Sequence, residues 1–185
     1  MATVRKFVAY RRLERPYTRK SKYRAKNYVR GSPQNKISRF TSGDQKGIFE
    51  YTLTLHSKAD LQIRDKALES ARLIVNRHCE KKIGMTSFFL YLKPYPHHFL
   101  RENPLATGAG ADRLSTGMAF SFGKVIGIAA RIFKDDQLMQ LKVNKDRLDL
   151  AKEILHKAAT KLPCSTYITI EATPKAATAK AVKAN

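Results

Sequence analysis

Acidic residues are scarce in this chain. Fifteen Asp or Glu stand against 36 Lys or Arg among 185 residues, a formal charge of +21 with a pI near 10.2. A folded chain tolerates that imbalance poorly unless a polyanion neutralises it, so nucleic acid is the leading partner. Long apolar runs are missing too. There is no run of about eighteen apolar residues and no basic helix with a large bulky apolar face, so neither a membrane span nor a membrane-surface helix is expected. The opening MATVRKFVAY lacks the continuous apolar core of a secretory signal, and a cytosolic location is expected. Cysteine is limited to Cys79 and Cys164, far apart in sequence. Reduced, packed thiols are expected rather than a disulfide, and a cysteine-based zinc site would lack its partners. What remains, with 43% apolar residues, suits one globular core with extensions.

Between residues 3 and 40, thirteen Lys or Arg face a single acid, Glu14, with Tyr10, Tyr17, Tyr23 and Tyr28 interspersed. Such a segment repels itself and has no steady apolar stripe, so by itself it is expected to be disordered or extended. Laid on RNA, its cations release counterions and its tyrosines stack on bases or cover sugar faces. The bland alternative is a solvated basic tail; the interleaved rings favour RNA. Candidate contacts are Arg11, Arg12, Arg15, Tyr17, Arg19, Lys20, Lys22, Tyr23, Arg24, Lys26, Arg30 and Lys36. Gly31-Ser32-Pro33 punctuates the extension.

The core follows. Residues 36–40 and 49–56 alternate as half-buried strands, with Gly43 and Gly47 as turn residues between them. Over residues 60–82, Leu61, Ala67, Leu68, Ala71, Ile74, Val75 and His78 recur at helical spacing. Ser57 or Asp60 is expected to cap this helix, with Lys81 and Lys82 at its negative end and Gly84 as its left-handed stop. Residues 86–93 and 97–101 read as strands around Pro94 and Pro96, and residues 125–133 and 137–143 as a hairpin about Lys134-Asp135-Asp136. Asn144 is the expected cap of a second helix with Leu148, Ala151, Ile154, Leu155, Ala158 and Leu162 on one face, ended by Pro163. A strand over residues 166–171 closes the core before a low-complexity Ala, Lys and Thr tail.

The stretch organising the rest is residues 101–127, small and glycine-rich at its centre with strand patterns on both sides. Gly108, Gly110, Gly117, Gly123 and Gly127 can take positive φ or let another backbone approach, and residues 103–119 show no period. A loop of that length is either a functional arm or a disordered connection. It is not a nucleotide loop. Gly108 to Arg113 lacks the third glycine of a dinucleotide fingerprint, and Gly123-Lys124 runs into Val125 rather than Ser or Thr. Asp112, Ser115 and Thr116 could be drawn into a hydrolase with His97 or His98, but no base is placed beside a nucleophile. His78 and Cys79 read as packed helix residues, and the adjacent His97 and His98 point to opposite faces of a strand, so no metal site is expected. Neither a cofactor nor an enzymatic activity is expected.

The run GAGADRLSTGM, followed by FGK, closely resembles the loop of the large-subunit ribosomal protein family called ten-e in archaea and eukaryotes, the counterpart of bacterial large-subunit protein sixteen. RPYTRKSKYRAKNYVRGSPQNKISRF resembles the family's basic N-terminal segment, ALESAR its first helix, and PHHFLREN the strand before the loop, this last phrase in the form closest to archaeal members. The resemblance implies an α+β fold, a mostly antiparallel sheet with two packed helices, a long glycine-rich loop and a basic extended N-terminus. It also implies large-subunit rRNA as partner near the central protuberance and peptidyl transferase centre, tRNA in or near the A and P sites, and neighbouring ribosomal proteins. Gly108, Gly110, Asp112, Arg113, Ser115, Thr116 and Gly117 would form the tRNA-proximal loop, Arg113 its direct cation, with Arg101 and Lys124 joining the rRNA contacts at its base. Ala119 and Phe120 stand where relatives commonly carry a basic and then a small residue, and Val125 where proline is usual, so one phosphate contact is expected to be missing.

The expected organisation is a basic extension over residues 1–36, one core domain over 37–171 bearing loop 103–124, and a flexible tail over 172–185. The expected function is a structural constituent of the large ribosomal subunit, cytoplasmic and without intrinsic homo-oligomerisation. A transient RNA-binding assembly factor is the alternative, and a phosphate-handling enzyme a distant third. With six to ten phosphate contacts, affinity for naked RNA would fall by roughly 10³ to 10⁵ between 50 and 200 mM salt.

Overall fold

Period-two alternation builds the strands that matter most. In the computed structural model, which describes residues 5–13, 31, 33–103 and 123–173, β1 is Thr41–Gly43, β2 Tyr51–Ser57 and β3 Leu61–Arg64. Helix α1 spans Asp65–Lys82, followed by β4 at Phe88–Leu92 and β5 at His98–Glu102. Strand β6 spans Lys124–Ile132, β7 Gln137–Val143, α2 Leu148–Ala159 and β8 Thr166–Ala172. The antiparallel α+β class holds, but the strands divide between two sheets instead of sharing one. A five-stranded sheet has the order β1-β4-β7-β2-β8 and a three-stranded sheet the order β3-β6-β5, every pairing antiparallel.

Both helices cover one face of the larger sheet. Leu53, Leu55, Leu90, Leu92, Met139 and Leu141 are fully buried there with Leu68, Ala71 and Val75 of α1 and Ala151, Ile154 and Leu155 of α2. Each of the Leu, Ile, Val and Met side chains contributes about 1.5–3 kcal/mol by leaving water. Leu61, Ile63, Ala130 and Ile132 join the smaller sheet to this core, while Phe99 and Ile128, with Val125 against them, form a separate cluster.

Several local expectations give way to long-range pairing. Residues 36–40 form no strand: the Lys36 amide donates to Asp65 Oδ2 and the Ile37 amide to Asn35 Oδ1, so these groups are spent on side chains before β1 begins. The first helix starts at Asp65, not Asp60, because Leu61 and Ile63 alternate into the core as β3 and pair with β6. Neither Ser57 nor Asp60 caps it. Ser57 Oγ donates to the Ala59 carbonyl, and Asp60 Oδ1 accepts the Lys134 amide. At its other end Gly84 has φ +99°, and the amides of Ile83 and Gly84 both reach the Cys79 carbonyl.

The expected hairpin is not one. Strands β6 and β7 lie in different sheets, and Asp135, at φ 66°, turns the chain from one to the other while Asp136 Oδ2 accepts the Phe133 amide. Turn chemistry dictates only that the chain reverses; burial selects the partners. Asn144 makes no side-chain cap; Glu50 Oε2 accepts the Lys145 amide instead, and a 3₁₀ turn at Lys145–Arg147 leads into α2. That helix ends at Ala159, ahead of Pro163, where Thr160 Oγ1 donates back to the Lys157 carbonyl.

Candidate nucleic-acid interface

The two ends of the glycine loop are joined by the ladder between β5 and β6. Glu102 pairs with Lys124 and Arg101 with Val125, after a register shift between Leu100 and Arg101. Gly123 closes the stem at φ +74°, and a Cβ there would lie 2.6 Å from the Glu102 carbonyl carbon and 2.7 Å from the Asn103 nitrogen. Only glycine fits without moving backbone. Gly127, by contrast, is an ordinary strand residue opposite Leu100 with open space around it. Val125, where proline was expected from the family pattern, continues β6 and packs with Phe99 and Ile128.

Beside the stem runs the start of the basic extension. Residues Phe7–Tyr10 make a 3₁₀ turn, and Phe7 packs on the main core. The Arg5 guanidinium pairs with Glu102 at the end of β5, and Arg64 Nη1 donates to the Arg5 carbonyl. Gln62, buried in β3, holds two more carbonyls: its backbone amide donates to Arg11 and its side-chain amide to Arg12. The backbone at Arg5, Arg11 and Arg12 is thereby fixed to β3, and the Arg5 side chain adds a tie to the end of β5, while Arg11 and Arg12 are exposed.

Of the residues read from sequence as RNA contacts, Arg11, Arg12, Lys36, Arg101 and Lys124 are described. Arg101 and Lys124 lie on neighbouring rungs of the stem, opposite Val125 and Glu102 respectively and so on opposite faces, Lys124 exposed and Arg101 half-buried. Lys36 is exposed, and its amide anchors the start of α1 through Asp65. Arg15, Tyr17, Arg19, Lys20, Lys22, Tyr23, Arg24, Lys26 and Arg30 lie outside the described residues, as do Gly108, Gly110, Asp112, Arg113, Ser115, Thr116 and Gly117. Sequence reasoning missed Arg5, Gln62 and Glu102. Gln62 carried a faint signal, an amide between Leu61 and Ile63, but nothing local joins Arg5 to a carboxylate 97 positions away.

A cleft of about 610 Å³ lies between the β1 region and α1, lined by Ser38, Ser42, Arg72 and Asn76 among others. Its buried cation is already committed. Arg72 donates to both carboxylate oxygens of Glu69 at 2.9 and 2.7 Å and to Ser38 Oγ at 2.9 Å. The Arg72 hydrogen bond holds the Glu69 carboxyl below its ordinary range, and the same bond raises Arg72. The cleft is a polar clamp between helix and strand. Cys79 and Cys164 are unpaired thiols; burial pushes Cys79 up to about 12 and raises Cys164 as well. His97 is exposed and His98 buried, on opposite faces as alternation requires. Among the described residues no helix is long and apolar enough to cross a membrane.

Residues 14–169 match the family model of ribosomal protein L16p/L10e, a span that takes in most of the basic extension, the whole glycine loop and both helices. The chain belongs to the ribosomal protein L16p/L10e family. It is 41% identical over 162 residues to the large ribosomal subunit protein uL16 of Archaeoglobus fulgidus, covering 88% of this chain and 90% of that one. The protein of the same name from Saccharolobus solfataricus is 47% identical over 150 residues, 80% of this chain and 84% of its own. That from Metallosphaera sedula is 45% identical over 150 residues, 80% and 86% respectively. Membership of this ribosomal family makes the chain a ribosome-bound structural component of the cytoplasm rather than an enzyme, archaeal in its resemblances.

Proposed function

We propose that this chain is a constituent of the large ribosomal subunit that binds large-subunit rRNA and positions its glycine loop beside tRNA. The observation that carries the reading is the family match across residues 14–169, because it takes in residues 14–36 of the basic extension and the whole loop. The charge of +21 supplies the affinity, Arg and Lys neutralising phosphates while tyrosines stack or fill grooves. Residues 1–36 act as the threading extension, with Arg11, Arg12, Arg15, Tyr17, Arg19, Lys20, Lys22, Tyr23, Arg24, Lys26, Arg30 and Lys36 against rRNA. Arg101 and Lys124 meet phosphates at the stem, and the loop tip, with Arg113 as its cation, approaches tRNA near the central protuberance and peptidyl transferase centre. The core, residues 37–171, is the platform that holds loop 103–124, and residues 172–185 form an appended tail.

Fixation of residues 5–12 to the small sheet supports this arrangement, since an anchored backbone directs the chain that follows it. The test is sedimentation of a lysate at moderate and then high salt. Stoichiometric presence in large subunits and polysomes through the salt wash is expected, with weakened incorporation when Arg19, Lys20, Lys22 and Arg24 are all replaced by alanine. Restriction to precursor particles would make the chain a transient assembly factor, and normal incorporation of the quadruple variant would remove the role given to the extension.

A further inference from the structure

The outward face of the larger sheet does not look like an ordinary solvated face. From Phe88 to His98 burial alternates: Phe88, Leu90, Leu92, Pro96 and His98 are buried, and Phe89, Tyr91, Lys93, Tyr95 and His97 face outward, half-buried or exposed. Four of those five outward side chains are rings. Their cross-strand neighbours on β7 are polar, Lys142 opposite Phe89 and Gln140 opposite Tyr91, so the rings have no apolar partner across the ladder. Beyond the strand the row continues as a stack: Tyr95 lies 5.4 Å from Phe40 at 21° and 4.5 Å from His97. Tyr95 is 49% exposed. Pro94 and Pro96 keep this continuation extended.

We propose that the outward row Phe89, Tyr91, Lys93, Tyr95 and His97 is a stacking platform for an unpaired stretch of RNA. The proposal rests on the RNA-binding reading above and adds a contact apart from extension and loop. Residues two apart on an extended chain are about 6.4–6.8 Å from one another, a spacing comparable to the reach of one stretched nucleotide. Successive bases can therefore meet successive rings. Charge selects nucleic acid over an apolar protein neighbour. The Lys142 ammonium sits 5.6 Å from the Phe89 ring centre and Lys93 5.1 Å from that of Tyr91, and the row holds no carboxylate. Both ammoniums ride on flexible stems and can turn to the phosphates flanking a stacked base. Sheet faces that bear exposed rings on neighbouring positions bind single-stranded RNA by the same means.

The test uses the full chain with a short labelled oligouridine and an RNA duplex of equal length. Tyr95→Ala is expected to weaken oligouridine binding about 5- to 150-fold, the stacking of one base being worth about 1–3 kcal/mol. Duplex binding and the salt slope should hold, because no cation is lost. Tyr95→Phe, which keeps the ring, should restore the affinity, and thermal melts of both variants exclude misfolding as the cause. Equal oligouridine affinity in Tyr95→Ala would overturn the platform and leave the ribosomal reading intact; absence of the wild-type chain from large subunits would overturn both. Short-wave ultraviolet irradiation of isolated large subunits gives a second measurement. Nucleotide adducts on Tyr91, Tyr95 or His97 are expected. Adducts elsewhere on the chain with none here, or crosslinks from this row to a protein neighbour, would overturn the platform.

Discussion

In the five-stranded sheet Leu53, Leu55, Leu90 and Leu141 are fully buried beneath two helices, whereas the three-stranded sheet, joined to that core through Leu61, Ile63, Ala130 and Ile132, ends in Glu102 and Lys124 beside a small separate cluster of Phe99, Ile128 and Val125. The first is held by apolar area removed from water. The second is held where it matters by directional groups: the Arg5 pair with Glu102, the two carbonyls bound by Gln62, and a glycine that lets backbone meet backbone. Apolar burial is non-directional and makes a stable base; hydrogen bonds and a positive φ aim a chain. The large sheet supplies most of the buried core, and the small one carries the stem at Glu102 and Lys124 and holds residues 5–12.

The sharpest way to break the comparison is to cut into each sheet. Leu141→Ala, at the centre of the large sheet, is expected to cost about 2–5 kcal/mol by cavity formation, read as a lower midpoint in urea unfolding. Gly123→Ala should cost about 1–3 kcal/mol, because alanine resists φ +74° and its Cβ meets Glu102 backbone. Hydrogen exchange should then speed up in β5 and β6 while β2 and β7 keep their protection. Loss of protection in β2 to the same degree would show the two sheets to be one cooperative unit.

Smaller effects belong to the charged contacts. Arg5→Ala removes a pair whose cation is 60% exposed, so a change of no more than about 1 kcal/mol is expected, with faster exchange confined to residues 5–12. Two helical carboxylates tie part of the stability to pH. The Glu69 carboxyl is lowered from 4.5 by its hydrogen bond from Arg72, and Glu153 to about 2 by hydrogen bonds from Lys157 and Lys82. A depressed folded-state value means that the stability is fully present above the ordinary value and is lost as pH falls through the folded one. Melting temperature should therefore decline below about pH 4.5 and continue to fall towards pH 2, with a shallower decline in Glu69→Gln. An identical acid slope in that variant would remove Glu69 from the account.

Much of the larger sheet was legible because its signals are local. Alternation in residues 49–56 and 86–93 located β2 and β4 to within two residues, and Leu148, Ala151, Ile154, Leu155 and Ala158 marked the buried face of α2. The errors share a cause. Leu61 fits a helical stripe as well as a strand, and only its pairing with Ile132, far along the chain, decides between them. The row from Phe89 to His97 was visible as a string of rings, yet an aromatic strand reads as core until a second face is seen to be uncovered. Arg11, Arg12, Lys36, Arg101 and Lys124 were legible as cations; that Glu102 claims Arg5, and that Gln62 grips the backbone at Arg11 and Arg12, were not.

By itself the sequence determined the charge, the periods of two and 3.6, the glycine loop and the family motifs, since each belongs to a residue or a short window and survives without knowledge of the fold. Tertiary structure alone decided that β6 and β7 part into separate sheets, that Gly123 rather than Gly127 needs to be glycine, and which face of β4 stays open. Strand partners are chosen by competition among distant segments, in which buried area outweighs the entropy of closing the intervening loop.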